Sequence, residues 1–334
     1  MPRLPYQLLR HAHRIDSNLP TLLKSCRDLD SARNELRWLR EYVLKNSQIT
    51  GTPKPKTGWQ TTLRGLCEER GKGRPLQYLL GTEYFGDLEI VCKPGVLIPR
   101  PETAASITYL LSRLHNPFLP SHLRILDLCT GTGCIPLLIR HLFHSPRTTL
   151  HLHGIDISPL AIRLARLNTA LLSPPTTQSS NTNPIPTFAL ADILAPLTLH
   201  QPHNILTANP PYISLSSFRT TPRSVRSFEP RAALVPPSSP TLSDQAQGDR
   251  FYPRLLEIAD EVGAEVVLVE VADMAQALRV VGMARGRGWE GLEVWRNEPG
   301  ARAEEDSGGG GRDCAGDGVV VRGRGDGRSV LCFR

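Results

Sequence analysis

The spacing of apolar residues divides this chain into a helical start and a long alternating remainder. Over residues 6–45 the apolar positions recur with a helical period: Leu22, Leu23, Cys26 and Leu29 share one face, and Leu36, Leu39, Tyr42 and Val43 another. Ser31, standing before A-R-N-E, predicts a helix N-cap with Glu35 completing something close to a capping box. The Gly-, Pro-, Lys- and Thr-rich stretch 51–58 predicts a loop, and a further helix over Thr61–Arg70 closes a small helical domain, 1–74. Residues 75–98 then change to strand-like residues, with Gly86-Asp87 between Tyr84-Phe85 and Leu88–Val91 predicting a β-hairpin linker.

From residue 99 to 334 the pattern alternates. Strands are predicted at Arg124–Leu128, Leu150–Ile157, Phe188–Ile193, Asn204–Ala208 and Glu265–Val271, with helices at Ile135–Phe143, after Ser158-Pro159, and over 249–262 and 273–285. Ser158 is a suitable N-cap, and Pro159 suits the first helical position because its missing N–H has no partner there anyway. A proline-rich loop is expected over 214–248 and a low-complexity surface insertion over 173–186. The end reads as two strands around a glycine-rich spacer within 299–318, with R-G-D-G as a tight turn. Strands alternating with helices over such a length predict an α/β fold, a parallel sheet covered on both faces.

Composition adds limits. The chain has 334 residues, 40% of them hydrophobic, enough for a sizeable core, and no apolar run of membrane-spanning length. Seven scattered cysteines without a C-x-x-C pair argue against a disulfide framework or a zinc site and for a reducing compartment. The net charge of +7 is concentrated at the start: residues 1–75 carry fifteen Lys/Arg against seven Asp/Glu, leaving the rest near neutral. Such a basic region suits an acidic or nucleic-acid-associated partner, or equally a solvated helical surface. The basic, acid-free first fifteen residues read either as a mitochondrial presequence or as the first helix of the domain.

The candidate chemistry lies at predicted strand ends. In Asn209-Pro210-Pro211-Tyr212 the prolines stop helix and ladder, and Asn209, preceding a proline, is held extended. Its carboxamide is thus presented stiffly where open α/β sheets bind ligands. Asp127-Leu-Cys129-Thr130-Gly131-Thr-Gly133 joins a strand to a helix, with glycines that allow close approach to a ligand. It is not a dinucleotide fingerprint, because Pro136 stands where the third glycine is needed, and no phosphate-loop G-K-[ST] is present. Asp156 ends the second strand, where ribose hydroxyls are bound in doubly wound folds, and Asp192, ending the third, is positioned to accept from an adenine amino group.

These features resemble S-adenosylmethionine-dependent methyltransferases of the Rossmann-like class. Four blocks narrow the resemblance: R-P-L-Q-Y-L-L-G-T-E-Y-F-G (74–86), G-V-L-I-P-R-P-E-T (95–103), D-L-C-T-G-T-G-C-I (127–135) and N-P-P-Y-I (209–213). Weaker echoes are F-E-P-R-A-A-L (228–234), L-V-E-V (268–271) and the terminal G-R-S-V-L. Over nearly the whole chain, the sequence is similar to the protein-(glutamine-N5) methyltransferases of class I peptide-chain release factors, the HemK/PrmC family. N-P-P-Y is shared with enzymes methylating adenine or guanine amines in DNA or RNA; the L-I-P-R-P-E-T block favours the protein-glutamine family.

The resemblance implies a class I methyltransferase sheet from 99 to 334, a helical substrate-docking domain over 1–74, and S-adenosyl-L-methionine as cofactor. It implies that Asn209 and the Pro210 carbonyl accept the two amide hydrogens of the glutamine in a G-G-Q tripeptide, with Pro211 and Tyr212 alongside. Asp127, Cys129, Thr130 and the Gly131/Gly133 backbone would hold the cofactor's methionine part, Asp156 its ribose and Asp192 its adenine, with Asn209 at the cofactor's edge. Arg100, Glu102 and Thr103 would brace the substrate pocket. It also implies a monomer on a protein substrate, with no need of a membrane or of direct nucleic-acid binding, and no metal. A mitochondrial location is expected, a cytoplasmic one being the alternative. A translation-associated binding protein without catalysis is the rival of another class, since Cys129 replaces a glycine usual in the family.

Overall fold

The computed structural model describes residues 4–49, 58–114, 119–173, 183–199, 201–301, 314–315 and 318–334. Of the expected loop over 51–58, residues 51–57 lie outside the described residues, as does the greater part of the two extra segments, 174–182, 302–313 and 316–317, while Gly58 begins a helix. The chain forms two compact units, 1–82 with 221–228, and 83–220 with 229–334.

The first unit is helical: α1 (Tyr6–Ile15), α2 (Leu19–Cys26), α3 (Leu29–Ile49), α4 (Gly58–Gly71) and α5 (Leu76–Leu80). Its core gathers Leu19, Leu22, Leu23, Leu36, Leu39 and Leu63, one stripe from each of three helices. Ala12 of α1 is buried in that core and Leu8 and Leu9 pack against it, so the basic start supplies a helix of the domain. α3 begins before the expected cap. Asp28 Oδ2, not Ser31, takes the free first-turn N–H, that of Ser31 itself, at 2.8 Å. An aspartate three residues upstream satisfies the same orphan donor, which the capping-box pattern at Ser31 concealed.

The second unit begins at Glu83, the second residue of the hairpin β1 (Thr82–Phe85) and β2 (Leu88–Val91), which turns at Gly86 in the left-handed region (φ 58°). After α6 (Pro101–Arg113) come β3 (His122–Leu128), α7 (Cys134–Leu142), β4 (Thr149–Asp156), α8 (Pro159–Leu172), β5 (Thr187–Leu190) and β6 (Ile205–Ala208). Two short helices, α9 (Leu215–Thr220) and α10 (Arg223–Phe228), a 3-10 turn at Arg231–Ala233 and α11 (Asp244–Gly248) occupy the region expected to be a loop. α10 belongs to the first compact unit. Helices this short carry too few turns for an apolar period, and their Ser, Thr and Arg content, with prolines between them, hid them. The chain finishes with α12 (Tyr252–Glu261), β7 (Val266–Glu270), α13 (Met274–Gly286), β8 (Gly291–Glu298), β9 (Cys314–Ala315), β10 (Val319–Arg322) and β11 (Arg324–Phe333).

The main sheet runs β5-β4-β3-β6-β7-β11-β8-β10-β9. From β5 to β7 every pairing is parallel, as expected, but β11 inserts antiparallel between β7 and β8. The sheet is therefore mixed, and its end has four strands rather than two. R-G-D-G is the irregular start of β11, where the register against β8 shifts twice; the reversal sits at Gly323. There φ is 84° and a Cβ would lie 2.1 Å from the Glu298 carbonyl oxygen, so only glycine fits.

Strand alternation feeds two cores. Leu126, Leu206, Val267 and Val269 pack with α12 and α13 on one face, while Ile125, Leu268, Phe85 and Ile90 pack with α6 and α7 on the other. One polar knot fastens the far side: Glu293 of β8 accepts from Arg322 at 2.7 and 2.8 Å, from Trp295 Nε1 at 2.8 Å and from Arg113 of α6. Burial alone would raise this carboxyl, but the donors from Arg322, Trp295 and Arg113 outweigh it and hold it at about 2, against 4.5 ordinarily. A folded-state value below the unfolded one means stability that is present above about 4.5 and lost as pH falls towards about 2. Glu293→Gln should therefore unfold more easily than the parent at pH 7, and the gap between their urea midpoints should close on acidification through that window.

Candidate active site

In the sheet, β3 is flanked by β4 and β6, and the chain leaves β3 for β4 and β5 before crossing back to β6. Strand order reverses there, so the loops after β3 and β6 diverge and leave a crevice at their C-terminal ends. A cavity of about 680 Å³ occupies it. Cys129, Thr130 and Gly131 after β3, Asp156 at the end of β4, Asp192 after β5, and Asn209 and Pro211 after β6 all line it, with Arg100 just before α6 and Thr103 in its first turn.

The loop after β3 curls tightly because Cys129, Gly131 and Gly133 all have left-handed backbones (φ 60°, 56° and 76°). At Gly131 an added Cβ would meet nothing nearer than 4.0 Å, so the glycine keeps the cavity open and lets backbone reach a ligand. Gly133 is different: its Cβ would press on Ala165 and Phe188 at 3.0–3.1 Å, so it serves the packing of α7 against α8. Cys129 bears a side chain where glycine costs nothing, a strain of about 1–2 kcal/mol. Cys129→Gly should raise the unfolding free energy by up to about 1 kcal/mol, after the added flexibility of the unfolded chain is subtracted. Urea titration of the two proteins measures it.

The acids are held in three different ways. Asp156 Oδ2 accepts from Gly131 N at 2.9 Å and Oδ1 from Ser158 N at 2.8 Å, locking the glycine loop to the start of α8; burial raises its pKa. Asp192 Oδ1 accepts from Leu194 N at 2.9 Å, an Asx turn that leaves its other oxygen for the cavity. Asp127 is off the cavity wall and 1% exposed. Its Oδ1 accepts from Thr207 Oγ1 at 2.7 Å, while Oδ2 is buried without a partner. Burial pushes this carboxyl up to about 7, opposed first by the nearby Thr130 hydroxyl, which stops short of a hydrogen bond to it, and then by the Thr207 hydroxyl. An unpaired buried carboxylate oxygen is expensive, which makes it the mark of a group awaiting a donor.

Asn209 belongs to a buried network. Its Nδ2 donates to Glu270 Oε2 at 3.0 Å and approaches Thr103 Oγ1 at 3.4 Å; the Thr103 hydroxyl donates to the same Oε2, and Tyr212 OH donates to Oε1 at 2.9 Å. Burial raises the Glu270 pKa, opposed by the Thr103 and Tyr212 donors and the charge of Arg328. Arg100 pairs with Glu229 at 2.7 Å, joining the block at 95–103 to that at 228–234. Of the other candidates, Pro210 is buried, Tyr212 stands behind the wall with its hydroxyl on Glu270, and Glu102 lies in the first turn of α6; none of the three lines the cavity. Glu270 and Glu229 were missed as site residues. An acid in the otherwise apolar strand V-V-L-V-E was the available signal.

No family model matches the chain. A curated relative, the mitochondrial MRF1 N(5)-glutamine methyltransferase MTQ1 of Saccharomyces cerevisiae, is 38% identical over 239 residues, 70% of this chain and 68% of that protein. The probable MRF1 mitochondrial N(5)-glutamine methyltransferase of Schizosaccharomyces pombe is 29% identical over 300 residues, 86% and 91% of the two chains. The release factor glutamine methyltransferase of Thermodesulfovibrio yellowstonii is 31% identical over 258 residues, 76% and 84%. Among solved structures, the hMettl16 catalytic domain aligns with a TM-score of 0.45 at 14% identity, covering 80% of each chain, a likeness too slight to bear on function. The level and extent of the sequence matches settle the family: the chain is a member of the release factor glutamine methyltransferases.

Proposed function

We propose that this protein methylates the side-chain amide nitrogen of the glutamine in the G-G-Q tripeptide of a class I peptide-chain release factor, using S-adenosylmethionine. The observation that carries this reading is Asn209, rigidly presented on the wall of the cavity that begins at the glycine loop.

The residues present fit that donor: Gly131 leaves room for it, and the orphaned Asp127 Oδ2 suits the amino group of its methionine part. Asp156 would accept from the ribose hydroxyls and Asp192 from the adenine amine. Ile157, apolar yet 61% exposed on the cavity wall, offers a flat base a surface. The bound donor supplies an electrophilic sulfonium methyl.

The remaining chemistry is the protein's. An amide nitrogen is a poor nucleophile because its lone pair is shared with the carbonyl. Asn209 Oδ1 and the Pro210 carbonyl would accept its two hydrogens, holding the NH₂ in line and favouring pyramidal nitrogen as positive charge develops. The proton becomes acidic once nitrogen carries that charge, so it leaves after transfer and no strong base need touch the nitrogen. Tyr212 and Pro211 would exclude water beside the glutamine.

The helical unit, with the chain's basic excess, is proposed to dock the release factor. The names of the two yeast relatives support a mitochondrial setting. Among the described residues no helix is long and apolar enough to cross a membrane. The test is incubation with radiolabelled methyl donor and a release factor, alone and with excess RNA or DNA. Label confined to the protein supports the reading; label in the nucleic acid refutes it.

A further inference from the structure

We propose that Glu270 is the positioning residue that decides which end of the Asn209 amide faces the substrate; this rests on the glutamine-methylating reading above. A carboxamide has nearly the same shape in its two flipped forms, so packing cannot choose between them. The choice falls to hydrogen-bond partners. Around Asn209 Nδ2 both partners accept: Glu270 Oε2 at 3.0 Å, and Thr103 Oγ1 at 3.4 Å, whose own hydrogen is committed to Oε2. Flipping the amide would set its oxygen against a carboxylate oxygen and a hydroxyl lone pair. Glu270 is itself pinned, because Tyr212 OH holds Oε1 at 2.9 Å. The Asn209 oxygen has no donor among the described residues and is the end left to the cavity wall.

The consequence is chemical. With the oxygen outward, Asn209 accepts from the substrate NH₂; with the nitrogen outward, two donors face each other and the clamp repels the group it must hold. Glu270 never needs to touch the substrate, since it acts through the orientation of its neighbour. Its burial in an apolar strand, costly for a carboxylate, follows from that task.

Three variants and one spectrum test this. Glu270→Ala should lower kcat about a hundredfold, as expected when a reacting group is misdirected, with S-adenosylmethionine affinity within about threefold of the parent. Asn209→Asp should be at least as impaired, because it sets two carboxyls together. The exchange Asn209→Asp with Glu270→Gln restores a donor–acceptor pair with an oxygen towards the cavity, and should recover kcat at least tenfold over Asn209→Asp alone. A merely structural role predicts no such rescue. An exchange no better than Asn209→Asp, or Glu270→Ala with unchanged kcat, overturns the proposal. Independently of turnover, an NMR spectrum of ¹⁵N-asparagine-labelled parent protein should place both Asn209 amide protons in slow exchange, with contacts to the Thr103 side chain. An amide proton open to solvent in the cavity overturns the proposal even if the protein methylates nothing. A parent protein inactive on release factor, but with this spectrum, refutes the assigned substrate and leaves the positioning role standing.

Discussion

Asn209→Ala should lower kcat for release-factor methylation about a hundredfold to a thousandfold, the cost of removing a preorganised acceptor from a charge-developing centre. The variant deletes the side-chain oxygen proposed to meet the substrate amide and leaves the glycine loop, Asp156 and Asp192 untouched, so S-adenosylmethionine should bind nearly as before. It also strips Glu270 of one donor, but the Thr103 and Tyr212 hydroxyls remain on its two oxygens. A modest loss of stability is expected, well short of unfolding. Calorimetric titration with the methyl donor beside a single-turnover assay separates the two effects. A loss of donor binding equal to the loss of transfer would place Asn209 in the cofactor site instead.

Asp127→Asn should have the second largest effect, on the cofactor. A charge-assisted hydrogen bond contributes about 1.5–3 kcal/mol, so S-adenosylmethionine affinity should fall roughly ten- to a hundredfold. The pH dependence is more telling. With its folded pKa raised from 3.8 to about 7, the Asp127 carboxyl favours folding below 3.8 and loses that contribution as pH rises through about 7. The ligand-free Asp127→Asn protein lacks this ionisation and should gain stability relative to the parent as pH increases from 4 to 8. Parent affinity for the donor should rise across pH 7 as the carboxylate forms, and the variant should show no such step. Thermal unfolding and titration calorimetry across that range decide it; identical profiles for both proteins would mean that Asp127 meets no cation.

One effect falls on the cavity wall and the other on a buried group behind it, which bears on what the sequence could reveal. The glycine loop, the aspartates at successive strand ends and Asn209-Pro-Pro-Tyr212 are local patterns, each a few residues long and each at a strand's C-terminal end. An alternating β/α chain brings such ends together, so these residues can be grouped from the sequence alone. Glu270 could not be grouped that way. Its partners Thr103, Asn209 and Tyr212 lie 58 to 167 residues away in sequence; the pairing of β6 with β7 brings Asn209 and Tyr212 to it, and the start of α6 brings Thr103. The antiparallel β11 was also illegible, since an apolar alternation of period two is the same in both strand directions. Asp127 is a third case: its position was readable, but its burial and orphaned oxygen depend on Thr207 one strand away.

Cys129 shows how one departure from a family pattern gains meaning. As a sequence feature it is a substituted glycine; its φ of 60° makes it a strained position beside the cavity. The thiol is driven well above its ordinary pKa, first by burial and then by Asp156 and Asp127, so it is an inert neutral group there.

The central claim is that this cavity methylates a glutamine side chain in a release factor. Tandem mass spectrometry of a release factor incubated with the protein and S-adenosylmethionine tests it most directly. A single methyl group on the side-chain nitrogen of the G-G-Q glutamine, absent when that glutamine is alanine, is the predicted result. Equal methylation of the alanine-substituted factor, or methylation at any other residue, would contradict it.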